Sequence, residues 1–339
     1  MKYYSIHGII GVSVEEAYPW MDTLNNDLPV VFKSTKEAYE SCQFFLNIRY
    51  SSHKISTPNK KRLFSEKSYF IDQIYGVKID INGNRIELIC CQECNEWFMF
   101  LLYYLFSKAG FLFIHAAALE KDGRVIIIPS AGGTGKTILS LYLLKNENYK
   151  LLGDDLCLVN NKGVVLSYPK KMVIYPWHTE FVNEEVFHPR KSLIRISQRR
   201  KEIVKLWLRR YPKLLAFIRR RNPQLNQVNP VDFLGFDPLI SKGTLSKIIF
   251  LERKELEQIY SYDEIAIKTF TTTRHELFHY FSEIIEDLIC NHSVIEGRYI
   301  FSTPLGILDS LKELVQWDVA AIPQDVSNKL FINKFLIKL

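Results

Sequence analysis

The residues of this chain whose types and spacing fit a definite chemistry lie in a glycine-rich segment behind an apolar, β-branched run. The run covers residues 125–128, and the segment ends in Gly-Lys-Thr. A strand, a glycine-rich turn and a helix in this order form a Walker A loop, whose small residues let backbone N–H groups point at a phosphate. The pattern therefore predicts a nucleotide site formed by Ser130, Ala131, Gly132, Gly133, Thr134, Gly135, Lys136 and Thr137.

Two side chains of this segment have specific roles in such a loop. Lys136 would reach the β- and γ-phosphates, and the Thr137 hydroxyl would hold Mg²⁺. ATP and Mg²⁺ are therefore the expected cofactors. Ser130 stands where the pattern has glycine, and we expect it to make the turn at some conformational cost. The competing interpretation is a chance glycine-rich turn between a strand and a helix.

A pair of carboxylates, Asp154 and Asp155, follows Lys136 at a short distance along the chain and is flanked by apolar residues. Mg²⁺ prefers hard oxygen ligands, so acids at the end of a strand near the phosphates suit nucleotide chemistry. One acid would serve the metal, and the other would accept the proton of a nucleophilic hydroxyl. The competing interpretation is a surface β-turn of sequence Gly-Asp-Asp.

His115 lies in an apolar stretch, where a lone histidine is more often a hydrogen-bonded core residue than a catalyst. In the order His115, glycine-rich loop, helix, Gly-Asp-Asp, however, the chain resembles the catalytic domain of HPr kinase/phosphorylase and its HPr-kinase-like relatives. Those relatives include kinases encoded beside genes for ribosomal peptides and lasso peptides. The resemblance covers residues 111–159 well and the region up to 251 more loosely.

The resemblance implies a compact P-loop kinase core, akin to phosphoenolpyruvate carboxykinase, that phosphorylates a serine hydroxyl from ATP with Mg²⁺. Carried over to this chain, Asp155 would be the catalytic base, Asp154 would serve the metal, and His115 would orient an acid. The roles of the two aspartates could be exchanged. The family's downstream Glu-Arg-Gly segment is not found in the expected place, which leaves HPr as the substrate and the reverse reaction open.

The expected fold class is α/β, with a P-loop kinase core at 96–339 and a mixed, strand-rich accessory region at 1–95. A basic helical insertion is expected at 188–224. We predict strands at 6–14, 44–50, 69–75, 77–81, 86–91, 111–119, 124–128, 151–160 (interrupted by the two acids), 163–167, 171–175 and 245–251. We predict helices at 96–109, 135–145 and 274–290.

The basic insertion is the main charged feature. Residues 190–221 hold thirteen Lys/Arg and one acid, Glu202, a local balance of +12 in a chain of +7. We favour a dock for an acidic peptide substrate or a solvated face. Nucleic acid or anionic lipid is the weaker alternative, since clustered Arg with Trp207 and Tyr211 suits phosphates and bases.

A second motif belongs to a different class of enzyme. Residues 275–279 spell His-Glu-Leu-Phe-His, in which His275 and His279 would share a helix face and grip zinc with Glu276 as the base. Glu283, Glu286 or Glu296 would have to supply the third ligand. This metalloprotease hypothesis leaves the glycine-rich segment unexplained.

The composition limits the remaining classes. The chain has 339 residues, 47% of them hydrophobic and 24% charged, which is typical of a globular protein. Residues 97–105 are apolar but too short to cross a bilayer, and residues 1–7 lack a signal-peptide core. With six cysteines and a nucleotide site, we expect a cytoplasmic protein without a transmembrane segment.

The sequence thus predicts an ATP-dependent kinase acting on a serine of a peptide or protein. The alternatives are a P-loop ATPase or switch without an acceptor, a kinase of a small hydroxy compound, and the zinc protease. The sequence leaves the oligomeric state open, including a homo-oligomer.

Overall fold

The protein is a mixed α/β structure built on two large sheets, each of which combines parallel and antiparallel strands. The computed structural model describes residues 1–57, 63–66, 69–174, 227–254, 260–278, 285, 289, 295–324 and 326–339. The basic insertion at 188–224 lies outside these residues, as do His279, Glu283 and Glu286 of the zinc hypothesis.

The described strands are β1 Lys2–Ile6, β2 Ile10–Val14, β3 Lys33–Ser34, β4 Phe44–Tyr50, β5 Leu63–Glu66, β6 Tyr69–Asp72, β7 Val77–Asn82, β8 Arg85–Cys90, β9 Phe111–Ile114, β10 Ala116–Lys121, β11 Arg124–Pro129, β12 Lys150–Gly153, β13 Leu156–Asn160, β14 Val164–Tyr168, β15 Met172–Val173, β16 Gln227–Val228, β17 Lys242–Glu252 and β18 Gln316–Ala321. The described helices are α1 Met21–Asp27, α2 Lys36–Glu40, α3 Asn95–Lys108, α4 Lys136–Asn146, α5 Pro230–Leu234, α6 Tyr262–Phe278, α7 Ser302–Ser310 and α8 Asn328–Leu336.

The first sheet is formed by residues 2–90 in the order β3-β1-β2-β4-β8-β7-β6-β5. β2 and β8 run parallel to β4 on either side of it, and the other neighbours are antiparallel. Helix α3 follows this sheet and is buried from Trp97 to Ser107. A helix that is apolar all round must lie inside the protein, so α3 joins the two sheets through a shared core.

The second sheet has the order β12-β10-β11-β17-β14-β13-β9, and β18 pairs with the second half of β17. Its central strands are buried on both faces, and successive side chains of a strand enter two different cores. In β11, Val125 and Ile127 pack into the core shared with α3, whereas Ile126 and Ile128 pack into the core that contains residues of α4 and α8. This two-sided burial explains the continuous β-branched run in the sequence.

Most predicted elements are found within a few residues of their expected positions, and the exceptions have clear causes. Residues 6–14 form a hairpin, because His7 and Gly8 turn the chain with positive φ. Residues 171–175 do not extend the main sheet; Met172–Val173 pairs with Gln227–Val228 in a separate ribbon. The helix expected to begin at 274 begins at Tyr262. Among the described residues, every helix is too short or too polar to span a bilayer.

The division at residue 95 coincides with the start of α3 at Asn95. One apolar core nevertheless extends from Tyr4 and Ile48 of the first sheet to Val125 and Ile248 of the second. The N-terminal region therefore packs directly on the sheet that carries the glycine-rich loop. Its status as a separate unit stays a prediction.

Candidate active site

The glycine-rich loop, residues 130–135, connects β11 to α4 as predicted. Gly135 adopts a φ of +112°, and a Cβ there would lie 2.7 Å from the Phe331 ring, so only glycine fits. Ser130 is not among the residues with positive φ, and the conformational cost expected for it does not arise. Its hydroxyl instead contacts the hydroxyl of Thr134 within the loop.

Lys136 points back into the loop and is buried, with 7% of its surface exposed. Its Nζ lies 2.8 Å from His115 Nε2, 2.9 Å from the Ser130 carbonyl oxygen and 3.1 Å from Ser130 Oγ. Burial lowers the pKa of Lys136, although the negative charges of Asp155, Asp154 and Glu276 act to raise it. All three N–H groups of the ammonium thus have acceptors within the chain when no phosphate is bound.

His115 lies at the break between β9 and β10, in a region predicted as one strand over residues 111–119. The chain breaks there because β9 pairs with β13 and β10 with β11. An ammonium group can only donate, so Nε2 of His115 accepts from Lys136 and Nδ1 carries the proton. Nδ1 lies 3.4 Å from Asp155 Oδ1. Burial lowers the pKa of His115, which favours this neutral form.

Asp154 and Asp155 form the turn between β12 and β13 beside the loop. Thr137 Oγ1 donates to Asp154 Oδ2 at 2.8 Å. Among the described residues, Asp154 Oδ1 is buried without a hydrogen-bond partner. Burial raises the pKa of Asp154, while the hydroxyls of Ser140 and Thr137 act in the opposite direction. A buried carboxylate beside the hydroxyls of Thr137 and Ser140, with one oxygen that lacks a hydrogen bond of normal length from the described residues, fits Mg²⁺, which takes oxygen ligands and keeps several waters.

Asp155 is the more accessible of the two acids, with 44% of its side chain exposed. Partial removal from water would raise the pKa of Asp155. The charges of Lys170, His115 and Lys136 outweigh this effect and lower the pKa to about 2. Exposure screens these charges in part. The carboxylate is therefore ionised at neutral pH, as a group must be that accepts a proton from a hydroxyl.

Lys170, for which the sequence predicts no role in the site, lies beside Asp155. Its Nζ lies 3.5 Å from Asp155 Oδ2 and 2.8 Å from Oδ1 of Asp27, the last residue of α1. Burial would lower the pKa of Lys170, but the two carboxylates outweigh it and raise the pKa. No local pattern marks this lysine; only the proline before it suggests a turn after the strand.

Glu276 and Arg253 also contact the glycine-rich loop. The Glu276 carboxylate accepts the Gly132 N–H at 2.9 Å. Arg253 Nε donates to the Thr134 carbonyl oxygen at 2.8 Å, and its guanidinium lies 4.0 Å from the centre of the Phe331 ring. Glu276 was selected only as the base of a zinc protease. Glu276 follows a run of polar residues within helix α6, and this sequence pattern does not indicate a contact with the glycine-rich loop.

The zinc hypothesis finds little support in the described residues. Glu276 faces the glycine-rich loop, and His275 Nδ1 lies 4.0 Å from it with 71% of its side chain exposed. In the part of the chain that the structure describes, no group of three His, Cys, Asp or Glu side chains is arranged to hold a metal ion. Glu296 pairs instead with Arg298, at 2.7 Å.

The structure thus brings together the predicted residues His115, Lys136, Thr137, Asp154 and Asp155 at one end of the second sheet. Lys136 lies at one nitrogen of His115, and the ionised carboxylate of Asp155 lies at the other. Such a site can bind a phosphate chain and deprotonate a hydroxyl. No protein-family model matches the chain, and no curated protein matches it either.

Proposed function

We propose that this protein is an ATP-dependent kinase with a P-loop kinase core that transfers the γ-phosphoryl group to a hydroxyl, most simply a serine of a peptide or protein. The observation that carries the proposal is the contact of Lys136 and Asp155 with the two nitrogens of one histidine, His115. The phosphate-binding lysine and the carboxylate that would act as base are thereby held on opposite sides of one ring.

In the proposed reaction the loop amides and Lys136 hold the phosphates and balance the charge that develops on them. Asp155 accepts the proton of the acceptor hydroxyl while the hydroxyl oxygen attacks the γ-phosphorus. The bond between the γ-phosphorus and the bridging oxygen then breaks, and ADP leaves. Thr137 and Asp154 would hold Mg²⁺, which neutralises phosphate charge when bound. His115, with its proton on Nδ1, fixes the positions of Asp155 and Lys136 relative to each other.

The test measures binding of Mg²⁺·ATP by calorimetry and transfer of label from γ-labelled ATP to a pool of serine-containing peptides. We expect Lys136→Ala and Asp155→Asn to lower transfer about a hundredfold or more while the fold is kept. Lys145→Ala, on the exposed last turn of α4, is the matched control and should behave as the wild type. Failure of the wild type to bind Mg²⁺·ATP, or normal transfer by either site variant, would overturn the proposal.

The same assay separates the alternatives. An ATPase or switch without an acceptor yields only free phosphate, whatever peptide is supplied. A kinase of small hydroxy compounds labels glycerol or free serine in place of the peptides. If the basic insertion at 188–224 helps to bind acidic peptides, these peptides should be labelled in preference to the others in the pool.

A further inference from the structure

The side chain of Lys170 connects the N-terminal region to the candidate base. Lys170 follows β14 and is 17% exposed, between Asp27 at 2.8 Å and Asp155 at 3.5 Å. Asp27, 20% exposed, ends α1 of the N-terminal region. Its other carboxylate oxygen accepts from Asn95 Nδ2 at 3.0 Å, so Asp27 is itself held in place.

We propose that Lys170 is a positioning residue for Asp155 and that Asp27, from the N-terminal region, holds Lys170 in that role. This inference rests on the proposed function. His115 contacts Oδ1 of Asp155 and Lys170 contacts Oδ2, so the plane of the carboxylate is set from both sides. A carboxylate has about four lone-pair sites. The remaining sites of this half-exposed group would accept the proton of the substrate hydroxyl.

The ion pair of Lys170 with Asp27 is not needed to attach the N-terminal region to the second sheet, because other contacts attach it there. His7 Nε2 donates to the Ser167 carbonyl oxygen at 2.7 Å, and the Tyr168 hydroxyl donates to the backbone oxygen of Asp27 at 2.6 Å. The rings of Phe32 and Tyr168 pack with centroids 5.7 Å apart. None of these contacts uses the Asp27 carboxylate. A substitution of that carboxylate therefore tests the link to Asp155 and leaves the docking contacts in place.

The geometry also indicates why the residue is a lysine. A compact ammonium can donate to two carboxylates that face it from different sides, whereas the guanidinium of arginine is planar and its donors have fixed directions. Arginine at this position would keep the charge and part of the geometry. We expect Lys170→Arg to retain part of the activity that Lys170→Met loses.

The experiment compares Lys170→Met, Lys170→Arg and Asp27→Asn with the wild type, using Mg²⁺·ATP and the peptide pool as probes. Lys171→Met is the matched control, since Lys171 is the next residue and its Nζ makes an exposed contact to Asn26 at 3.4 Å and, among the described residues, no ion pair. We expect Lys170→Met to lower kcat about ten- to a hundredfold, with the Kd of Mg²⁺·ATP changed less than about twofold. Asp27→Asn should lower kcat by a smaller factor, and Lys171→Met should not change it.

The melting temperature of each variant without nucleotide shows whether the fold is kept. If Lys170→Met does not fold, Lys170→Arg and Asp27→Asn decide the question by the same kcat and Kd measurements. An unchanged kcat in the folded variants, or an equal loss in kcat and in nucleotide affinity, would overturn the inference. Failure of the wild type to bind or turn over Mg²⁺·ATP would instead count against the proposed function itself.

Discussion

Glu276 accepts the backbone N–H of Gly132 at 2.9 Å, so a carboxylate of α6 lies against the glycine-rich loop. Thr273, one turn earlier on α6, accepts the N–H of His115 at 3.0 Å and holds this helix face toward the site. Loop amides are the groups that bind phosphate in such loops. Glu276 therefore occupies a donor that a phosphate oxygen would use in the proposed nucleotide complex, where the two anions would compete for it.

We expect Glu276→Gln to tighten nucleotide binding about three- to tenfold, because it removes a negative charge that faces the phosphates. The measurement is the Kd of ADP and of Mg²⁺·ATP by calorimetry. Glu313→Gln, an exposed carboxylate in the turn after α7, is the control and should leave Kd unchanged. Weaker binding by Glu276→Gln would show that the carboxylate helps to hold the nucleotide.

Asp154 and Asp155 have different surroundings, which predicts different effects of the same substitution. Asp154 is buried beside the hydroxyls of Thr137 and Ser140, and one of its oxygens lacks a hydrogen bond of normal length from the described part of the chain. We expect Asp154→Asn to raise the Mg²⁺ concentration needed for half-maximal activity about tenfold or more. Asp155→Asn should abolish turnover while Mg²⁺·ATP still binds. A titration with Mg²⁺ measures both effects, and the reverse pattern would exchange the roles of the two acids.

Two glycines provide a matched test of the loop geometry. Gly135→Ala places a Cβ at a φ of +112° and 2.7 Å from Phe331, so we expect a loss of about 1–3 kcal/mol in the free energy of unfolding. Gly306→Ala lies within α7, where a Cβ meets nothing within 4 Å, and should gain about 0.5–1 kcal/mol. Urea unfolding measures both. A neutral Gly135→Ala would contradict the loop conformation.

The contact of His7 predicts a pH dependence of stability. Burial lowers the pKa of His7 from its ordinary value of 6.5, against the raising effect of its hydrogen bond to Ser167. The unfolded chain therefore binds this proton more readily, and stability falls as the pH drops through 6.5 and below. The slope for one proton is at most about 1.4 kcal/mol per pH unit.

His7→Asn should lose less stability than the wild type between neutral and mildly acidic pH, since asparagine does not titrate and tolerates the positive φ of 55°. Urea unfolding of both proteins across this range is the measurement. Parallel curves would show that another group causes the acid sensitivity. His115, whose pKa is also lowered by burial, contributes with the same sign in both proteins.

Local sequence was sufficient for the features that depend on near neighbours. The β-branched run predicts β11, and the glycines and Lys136 predict the loop and the start of α4. Asp154 and Asp155 follow within one strand–helix–strand unit, so their closeness to Lys136 depends on short connections. Their types also predict the chemistry, because only carboxylates supply both a base and a hard metal ligand.

Other features of the site required the tertiary structure, because they join residues far apart in the chain. Gly132 and Glu276 are 144 positions apart, and Thr134 and Arg253 are 119 apart. The contact of Lys170 with Asp27 likewise connects the segment after β14 to the end of α1, far earlier in the chain. The glycine-rich loop and its two acids could thus be predicted from the sequence, because short connections bring them together. Only the packing of α1 and α6 against the second sheet decided which charges face them, since periodicity reveals which residues are buried and not which distant partner they meet.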